Sequence, residues 1–381
     1  MKFPLFLILL LVGATRYIQA QPIAACLNEI NKLEAISIIG VGESCHGTHE
    51  LNQLRRELIE SLIVSNEVKL IGIEERPQVI DLINRPLNSL SNDTIKKIIV
   101  DNALWVNKNE ELFKLIQFVK NYNRNTTKKP IYFYGITGYY TIELLVNKFP
   151  ELHESSARHK AVIGLLTDTL KSRNERSALL EIELDKIKNY AAPKDSIWYY
   201  YDLFNLVQGS IYTLMTDRAA RYKFNDISMF RNIQYLNLHY NISPMSKMII
   251  WAHNTHIAKE DKGIKRLGSF LNAAYKQKYF ALLTDFKQGK FTAYSPEKQE
   301  DNTYNYQPKT FYKKCKKRKE TGLVLDRCLP LKLNDIGAQY HYEGKLSYQK
   351  KVRLGKHADA VLIIDSIQPT HLLEGAKLNA W

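Results

Sequence analysis

Short apolar, β-branched runs alternate along this chain with longer segments of helical spacing, an order that fits a parallel sheet covered by helices and few other folds. The runs lie at Ile36 to Gly42, Lys69 to Glu74, Pro130 to Ile136, Met248 to Ala252, Phe280 to Phe286 and Ala360 to Ile364. After the first of them, Leu51, Leu54, Leu58, Leu62 and Ile63 form the stripe of an amphipathic helix over His49 to Ser65. Leu112, Leu115, Ile116, Phe118 and Val119 mark another helix before the third run, giving a crossover long enough to join parallel strands. The expected class is therefore α/β, with a mainly parallel sheet. From about residue 139 to about 245 the alternation stops. Ala157 to Tyr190 and Ser196 to Tyr240 keep helical spacing without a strand, so a large helical insertion is expected to cap the cleft. No linker rich in Pro, Gly or Ser marks either end, and residues 21–381 are read as a single domain.

The first twenty residues stand apart. Met1, Lys2, the apolar run Phe3 to Ala14 and then Ile18-Gln19-Ala20 before Gln21 read as a secretory signal peptide, 1–20. The run is too short to span a bilayer stably. Its removal takes away Lys2 and Arg16 and no acid, lowering the formal charge from +15 to +13. The expected location is secreted or periplasmic. Ile23-Ala24-Ala25-Cys26 has the look of a lipoprotein box but does not end the apolar run, so a lipid anchor through Cys26 is the less favoured alternative.

Export permits disulfides, and Cys315 with Cys328 lie near enough in sequence to close a short loop, while Cys26 and Cys45 are expected to stay free. No C-x-x-C pair suggests structural zinc. With 45% hydrophobic and 24% charged residues the chain is of globular and not disordered composition. Its densest basic run, Tyr312 to Lys319, lacks interleaved aromatics. It reads as a solvated loop in loose association with an anionic envelope surface, with no nucleic acid partner.

Three polar strings end three of the predicted strands. Gly42-Glu43-Ser44-Cys45-His46-Gly47-Thr48-His49 lies where the first strand hands over to a helix. There Gly47 is expected to take a left-handed angle, and the helix to offer free N–H groups. Ile73-Glu74 ends the second strand, and a carboxylate there needs a partner, for which Arg55 or Arg56 is expected. Trp251-Ala252-His253-Asn254-Thr255-His256 ends another. In a parallel sheet these ends share one edge, which gathers Glu43, His46, Glu74, His253 and His256. Residue types alone leave two readings open: a divalent metal held by imidazole and carboxylate, or a water-activating histidine held by carboxylates. A thiol nucleophile at Cys45 and a non-catalytic haem- or glycan-binding protein are further alternatives. Trp198-Tyr199-Tyr200-Tyr201 reads either as a cleft wall or as helix packing.

These strings resemble the erythromycin esterase family in Gly42-Glu43-x-x-His46, Glu50 with Arg55, Ile73-Glu74 and His253-Asn254-x-His256. Trp105 with Glu110, Asp226-x-x-Met229-x-x-Asn232, Leu267-Gly268 and Asp359-Ala360-Val361 extend the likeness over about residues 30 to 367. The resemblance implies an α/β core with helical additions and a deep cleft. It also implies hydrolysis of a small-molecule ester, a macrolide lactone such as erythromycin or a related ester, without a bound cofactor. On that pattern His46 is the base. Glu43 and Glu74 orient histidines or water, Arg55 pairs with a carboxylate or polarises the carbonyl, and His253 with His256 completes the site. Trp105 and Asn254 are expected to contact substrate. Two departures, Gly135-Ile136-Thr137 and Asn225-Asp226, fall where the family usually has Asp and Arg-Asp, and they leave the substrate open.

Overall fold

A computed structural model describes residues 23–65, 67–140, 157–188, 197–260, 263–295, 300–306, 322–325, 331–340 and 348–377. Residues 1–20, Tyr312 to Lys319, and both Cys315 and Cys328 lie outside the described residues.

The strands are β1 (Ile38–Glu43), β2 (Val68–Ile73), β3 (Tyr132–Gly135), β4 (Lys247–His253), β5 (Tyr279–Ser295), β6 (Glu300–Tyr306), β7 (Gly322–Val324), β8 (Leu331–Asn334), β9 (Gln349–Val352) and β10 (Ala360–Ile367). Across the main sheet they run β3-β2-β4-β1-β5-β10-β7. The first six are parallel to their neighbours and β7 is antiparallel to β10. These six are the six runs expected from the sequence. Successive residues of a strand face opposite sides, and the two cores divide accordingly. Leu70, Met248, Ile250 and Ala281 join the core on one face, while Ile71, Ile249, Trp251 and Leu282 join that on the other. Helices His49–Ser65, Pro77–Asn84, Asn92–Asn102 and Glu110–Asn125 cover the second face. The first is covered by Ala157–Thr167, Arg173–Lys188, Ile197–Leu214, Arg218–Tyr240 and Leu267–Tyr275. Among the described residues no helix is long and apolar enough to cross a membrane.

The chain leaves β1 through a helix on one face and β4 through helices on the other. A crevice therefore opens at the carboxyl ends of these two adjacent strands, where open α/β sheets bind ligands. The apolar run of β5 ends at Phe286, but the strand runs on to Ser295 and pairs there with β6. This extension supplies Phe291 and Ala293 to a third core with Cys45, Leu51, Phe286, Tyr304, Ile336 and Ile367, directly behind the β1 turn. The ribbon β8-β9 was also missed. It is short, and its Lys and Asn residues hide the alternation.

Gly47 has no left-handed angle. Its requirement is space, because a Cβ there would lie 1.6 Å from the Thr292 carbonyl oxygen of β5. The Gly47 carbonyl also accepts from the N–H groups of Thr292 and Thr370, at 2.9 and 3.0 Å. Gly47→Ala is expected to destabilise the fold by about 1–3 kcal/mol through overpacking, read as a lowered urea midpoint; an unchanged midpoint would show that β5 yields freely.

Candidate active site

The β1 turn aims its polar side chains inward because the backbone on both sides is pinned. Ile336 N–H donates to the Ser44 carbonyl at 2.7 Å, and Asn52 Nδ2 donates to the Thr48 carbonyl at 2.8 Å. The first helix N–H is not free for an anion, since His49 N–H donates to the Gln368 carbonyl at 2.9 Å. Glu50 takes the Gln368 N–H at 2.6 Å. Within this frame Glu43 Oε1 lies 2.8 Å from His46 Nδ1. Glu43 Oε2 lies 2.6 Å from Arg55 Nη2, a charge contact off the hydrogen-bond line. All three residues are buried. Arg55 is fixed from the other side by the Trp251 ring 3.9 Å from its guanidinium carbon, and it donates to Asn52 Oδ1 at 2.5 Å. A carboxylate facing Nδ1 places the proton on that nitrogen, which leaves Nε2 as the basic one. His46 lines the cleft.

The partner expected for Glu74 from the sequence, Arg55 or Arg56, is not the one it finds. Arg55 serves Glu43, and Arg56 binds Glu60 and Glu111. Glu74 Oε2 accepts the His253 N–H at 2.7 Å, and Oε1 lies 3.2 Å from His256 Nε2. The ends of β2 and β4 are thereby joined by one carboxylate. His256 Nδ1 lies 2.6 Å from Asp226 Oδ1, and Asp226 Oδ2 accepts from Arg266 Nη1 at 3.0 Å. Burial alone would lower the His256 pKa, but Asp226 and Glu74 outweigh it and raise it to about 10. Burial works against the Glu74 carboxylate too, yet His256, with His46 and the His253 N–H, holds its pKa well below the usual range. His256 is therefore a fixed cation in a charge-balanced chain of His, Arg and two carboxylates.

His253 differs. Its Nδ1 accepts the Thr255 N–H at 3.2 Å, so Nε2 carries the proton and faces the Ile336 carbonyl at 3.2 Å. Burial and the neighbouring His46 ring, 4.8 Å between centroids, hold its pKa below the ordinary value. It is a neutral ring with both nitrogens engaged. Thr255 Oγ1 donates to Asp335 Oδ1 at 2.7 Å, and Lys350 Nζ lies 2.8 Å from Asp335 Oδ2.

His46, Glu74, His253 and His256 line one cleft of about 1050 Å³, with Glu43 and Arg55 packed behind His46. Trp105 and Asn254 are not among its lining residues. Trp105 is buried in a short 3-10 turn. Asn254 zips β4 to β5, donating to the Thr284 carbonyl at 2.8 Å and accepting its N–H at 3.3 Å, which is why Gly42 beside it has no room for a Cβ. The Trp198 to Tyr201 cluster is packing. Arg85 stacks on Trp198 at 4.0 Å, and Tyr201 donates to the Gly135 carbonyl at 2.6 Å. The aromatic cleft wall is instead Tyr139, Tyr212 and Tyr222, joined by Arg218, Arg221, Asp335 and Lys350. None of these stands out in the sequence as a site residue. Spacing on the helix after Asp217 was the one available signal, and Asp335 had none.

Among the described residues no three His, Cys, Asp or Glu side chains form a metal-holding group. Cys45 is wholly buried, and burial pushes its thiol well up. A thiolate nucleophile does not form there. Iodoacetamide is expected to leave Cys45 unmodified in the native protein and to label it in urea, read by peptide mass; native labelling would contradict this burial.

Similar folds are known. A Bacillus cereus protein of known crystal structure is 17% identical with a TM-score of 0.72, covering 91% of this chain and 93% of that one. A succinoglycan biosynthesis protein is 19% identical with a TM-score of 0.70, covering 91% and 92%. The erythromycin esterase EreC, in an open conformation, is 16% identical with a TM-score of 0.61, covering 90% and 93%. At such identities the likeness is one of fold. Among curated protein sequences nothing matches the chain. The model of the family described as Erythromycin esterase matches residues 144–367, a span that carries Asp226, His253 and His256. His46 and Glu74 precede that span, and the pairing of Glu74 with His256 and the contact of the His46 ring with that of His253 tie them to it. With more than half of its length matched, the chain belongs to the erythromycin esterase family.

Proposed function

We propose that this protein hydrolyses esters, with His46 as the general base that activates water, and that it does so without a bound metal. The observation that carries the reading is the buried Arg55–Glu43–His46 series, which leaves Nε2 of His46 as the basic nitrogen at the cleft. In the reaction Nε2 takes a proton from water as the water oxygen adds to the ester carbonyl. Glu43 stabilises the imidazolium so formed and keeps the tautomer correct, while Arg55 and Trp251 hold Glu43 in place. When the tetrahedral intermediate collapses, the imidazolium returns its proton to the departing alkoxide. Acid and alcohol leave, and His46 is neutral again. His253 and His256 have both ring nitrogens committed to protein partners, which supports their role as supports of the cleft floor and leaves little for a cation to bind.

A macrolide lactone such as erythromycin, or a related ester, is the proposed substrate class. Residues 1–20 support export to the periplasm or outside the cell. The test is turnover of an ester panel that includes erythromycin by the purified mature chain, with mass analysis for the gain of one water. Product from wild type, and a rate lowered about 10²–10⁴-fold in His46→Ala, is expected. Equal rates for the two proteins would end the reading.

A further inference from the structure

The charges around the cleft do not cancel evenly. Lys350 is matched by Asp335, Arg266 by Asp226, and His256 by Glu74 and Asp226. Arg218 and Arg221 remain over. Both line the cleft with His46, one turn apart on the Arg218–Tyr240 helix. Arg218 donates to the Tyr222 hydroxyl, at 3.0 Å from Nη2, and Arg221 donates through Nε to the Met215 carbonyl at 2.7 Å. The guanidinium of Arg221 also lies 5.3 Å from the Tyr212 ring centroid, and that ring meets Tyr139 edge to face at 5.1 Å. Among the described residues neither arginine has a carboxylate partner. The adjacent Asp217 is spent on capping the helix, accepting from Ala219 and Ala220 N–H. The two guanidiniums are thus oriented by neutral groups, and the Nη atoms of Arg221 remain available to a ligand. Planar, forked donors of this kind match carboxylate and phosphate oxygens.

We propose that Arg218 and Arg221, above the Tyr139–Tyr212 wall, form a subsite for an oxyanion carried by the substrate away from its scissile bond, so that the preferred esters are anionic. This rests on reading the cleft as the site of ester hydrolysis. The tyrosine wall gives the carbon skeleton of such a substrate an apolar surface. Neutral esters lack the charge-assisted contacts, and esters bearing an ammonium group meet repulsion. Within the proposed substrate class the subsite therefore favours a related, anionic ester over erythromycin itself, whose amino group is cationic at neutral pH.

The test uses nitrophenyl half-esters of dicarboxylic acids of increasing length, each beside its neutral methyl ester, and a matched phosphate-bearing ester. For wild type, kcat/KM for the best anionic ester should exceed that for its neutral counterpart by about tenfold or more. That ratio should fall towards unity in the Arg218→Gln, Arg221→Gln double variant. It should hold in Lys223→Gln, which removes an exposed charge from the same helix outside the cleft. Arg221→Glu should turn the preference towards an ammonium-bearing ester. A ratio near unity in wild type, or an equal fall in Lys223→Gln, would overturn the subsite. Whether carboxylate or phosphate gives the larger ratio identifies the oxyanion, and either result upholds it. Should no ester turn over, calorimetric titration of His46→Ala with the half-esters separates the two claims. Binding lost in the double variant keeps the subsite while ester hydrolysis fails, and absence of binding overturns the subsite.

Discussion

His46→Ala is expected to lower kcat for ester hydrolysis by about 10²–10⁴-fold, the usual worth of a positioned general base, with KM changed little. The ring is placed by Glu43 at 2.8 Å and is buried except towards the cleft, so its loss removes the base more than it removes substrate contacts. His46→Gln is the sharper variant. Its amide can still donate to Glu43 but has no basic nitrogen of suitable strength, so it should lose as much rate as Ala while melting nearer to wild type. Retained activity in His46→Gln would assign His46 a positioning role and move the base elsewhere.

The second large effect is on stability. Asp226→Asn removes the charge that faces both His256 and Arg266, and it is expected to cost about 3–5 kcal/mol, the usual result of breaking a buried ion pair from one side. The pH dependence carries the signature. The folded pKa of His256, about 10, lies above its ordinary value of 6.5. Its contribution to stability is therefore complete below about 6.5 and is lost as pH rises through about 10. Glu74, held low, contributes above its ordinary value of 4.5 and loses that contribution as pH falls below it. The two shifts describe one ion pair and are counted once. Thermal melts of wild type should fall between pH 6.5 and 10, and the Asn variant should show a flatter slope over the same window. Parallel slopes would mean that Asp226 does not set the charge of His256.

What the sequence made readable follows from how local each signal was. The His49 to Ser65 helix and all six parallel strands were legible because each carries its own periodicity, buried on one face or on two. Strand direction alone placed Glu43, Glu74 and His253 on one edge, and β1 and β4 do end together with Glu43 opposite His253 in the register. Partners were not legible. Glu74 finds His256 and not Arg55 because β4 inserts between β1 and β2, an order that periodicity does not encode. Gly47 was expected to turn left-handed, but its neighbour is β5 extended well past Phe286, a contact between residues 245 positions apart in sequence. Asp335 reaches the site from the loop after β8, where no motif marks it. Trp198 to Tyr201 left a cleft wall and helix packing equally open, and the cluster packs. The aromatic wall lies at Tyr139, Tyr212 and Tyr222, and only packing decides which face of the helical insertion looks into the cleft.

In the proposed reaction His46 acts as a base on water and never as a nucleophile. Recording the intact mass of the protein during turnover of a slowly hydrolysed ester in oxygen-18 water separates the two. The protein mass is expected to stay unchanged throughout, with one labelled oxygen in the acid product. A transient acylated protein, with the adduct mapped to His46 or to any other side chain, would contradict it.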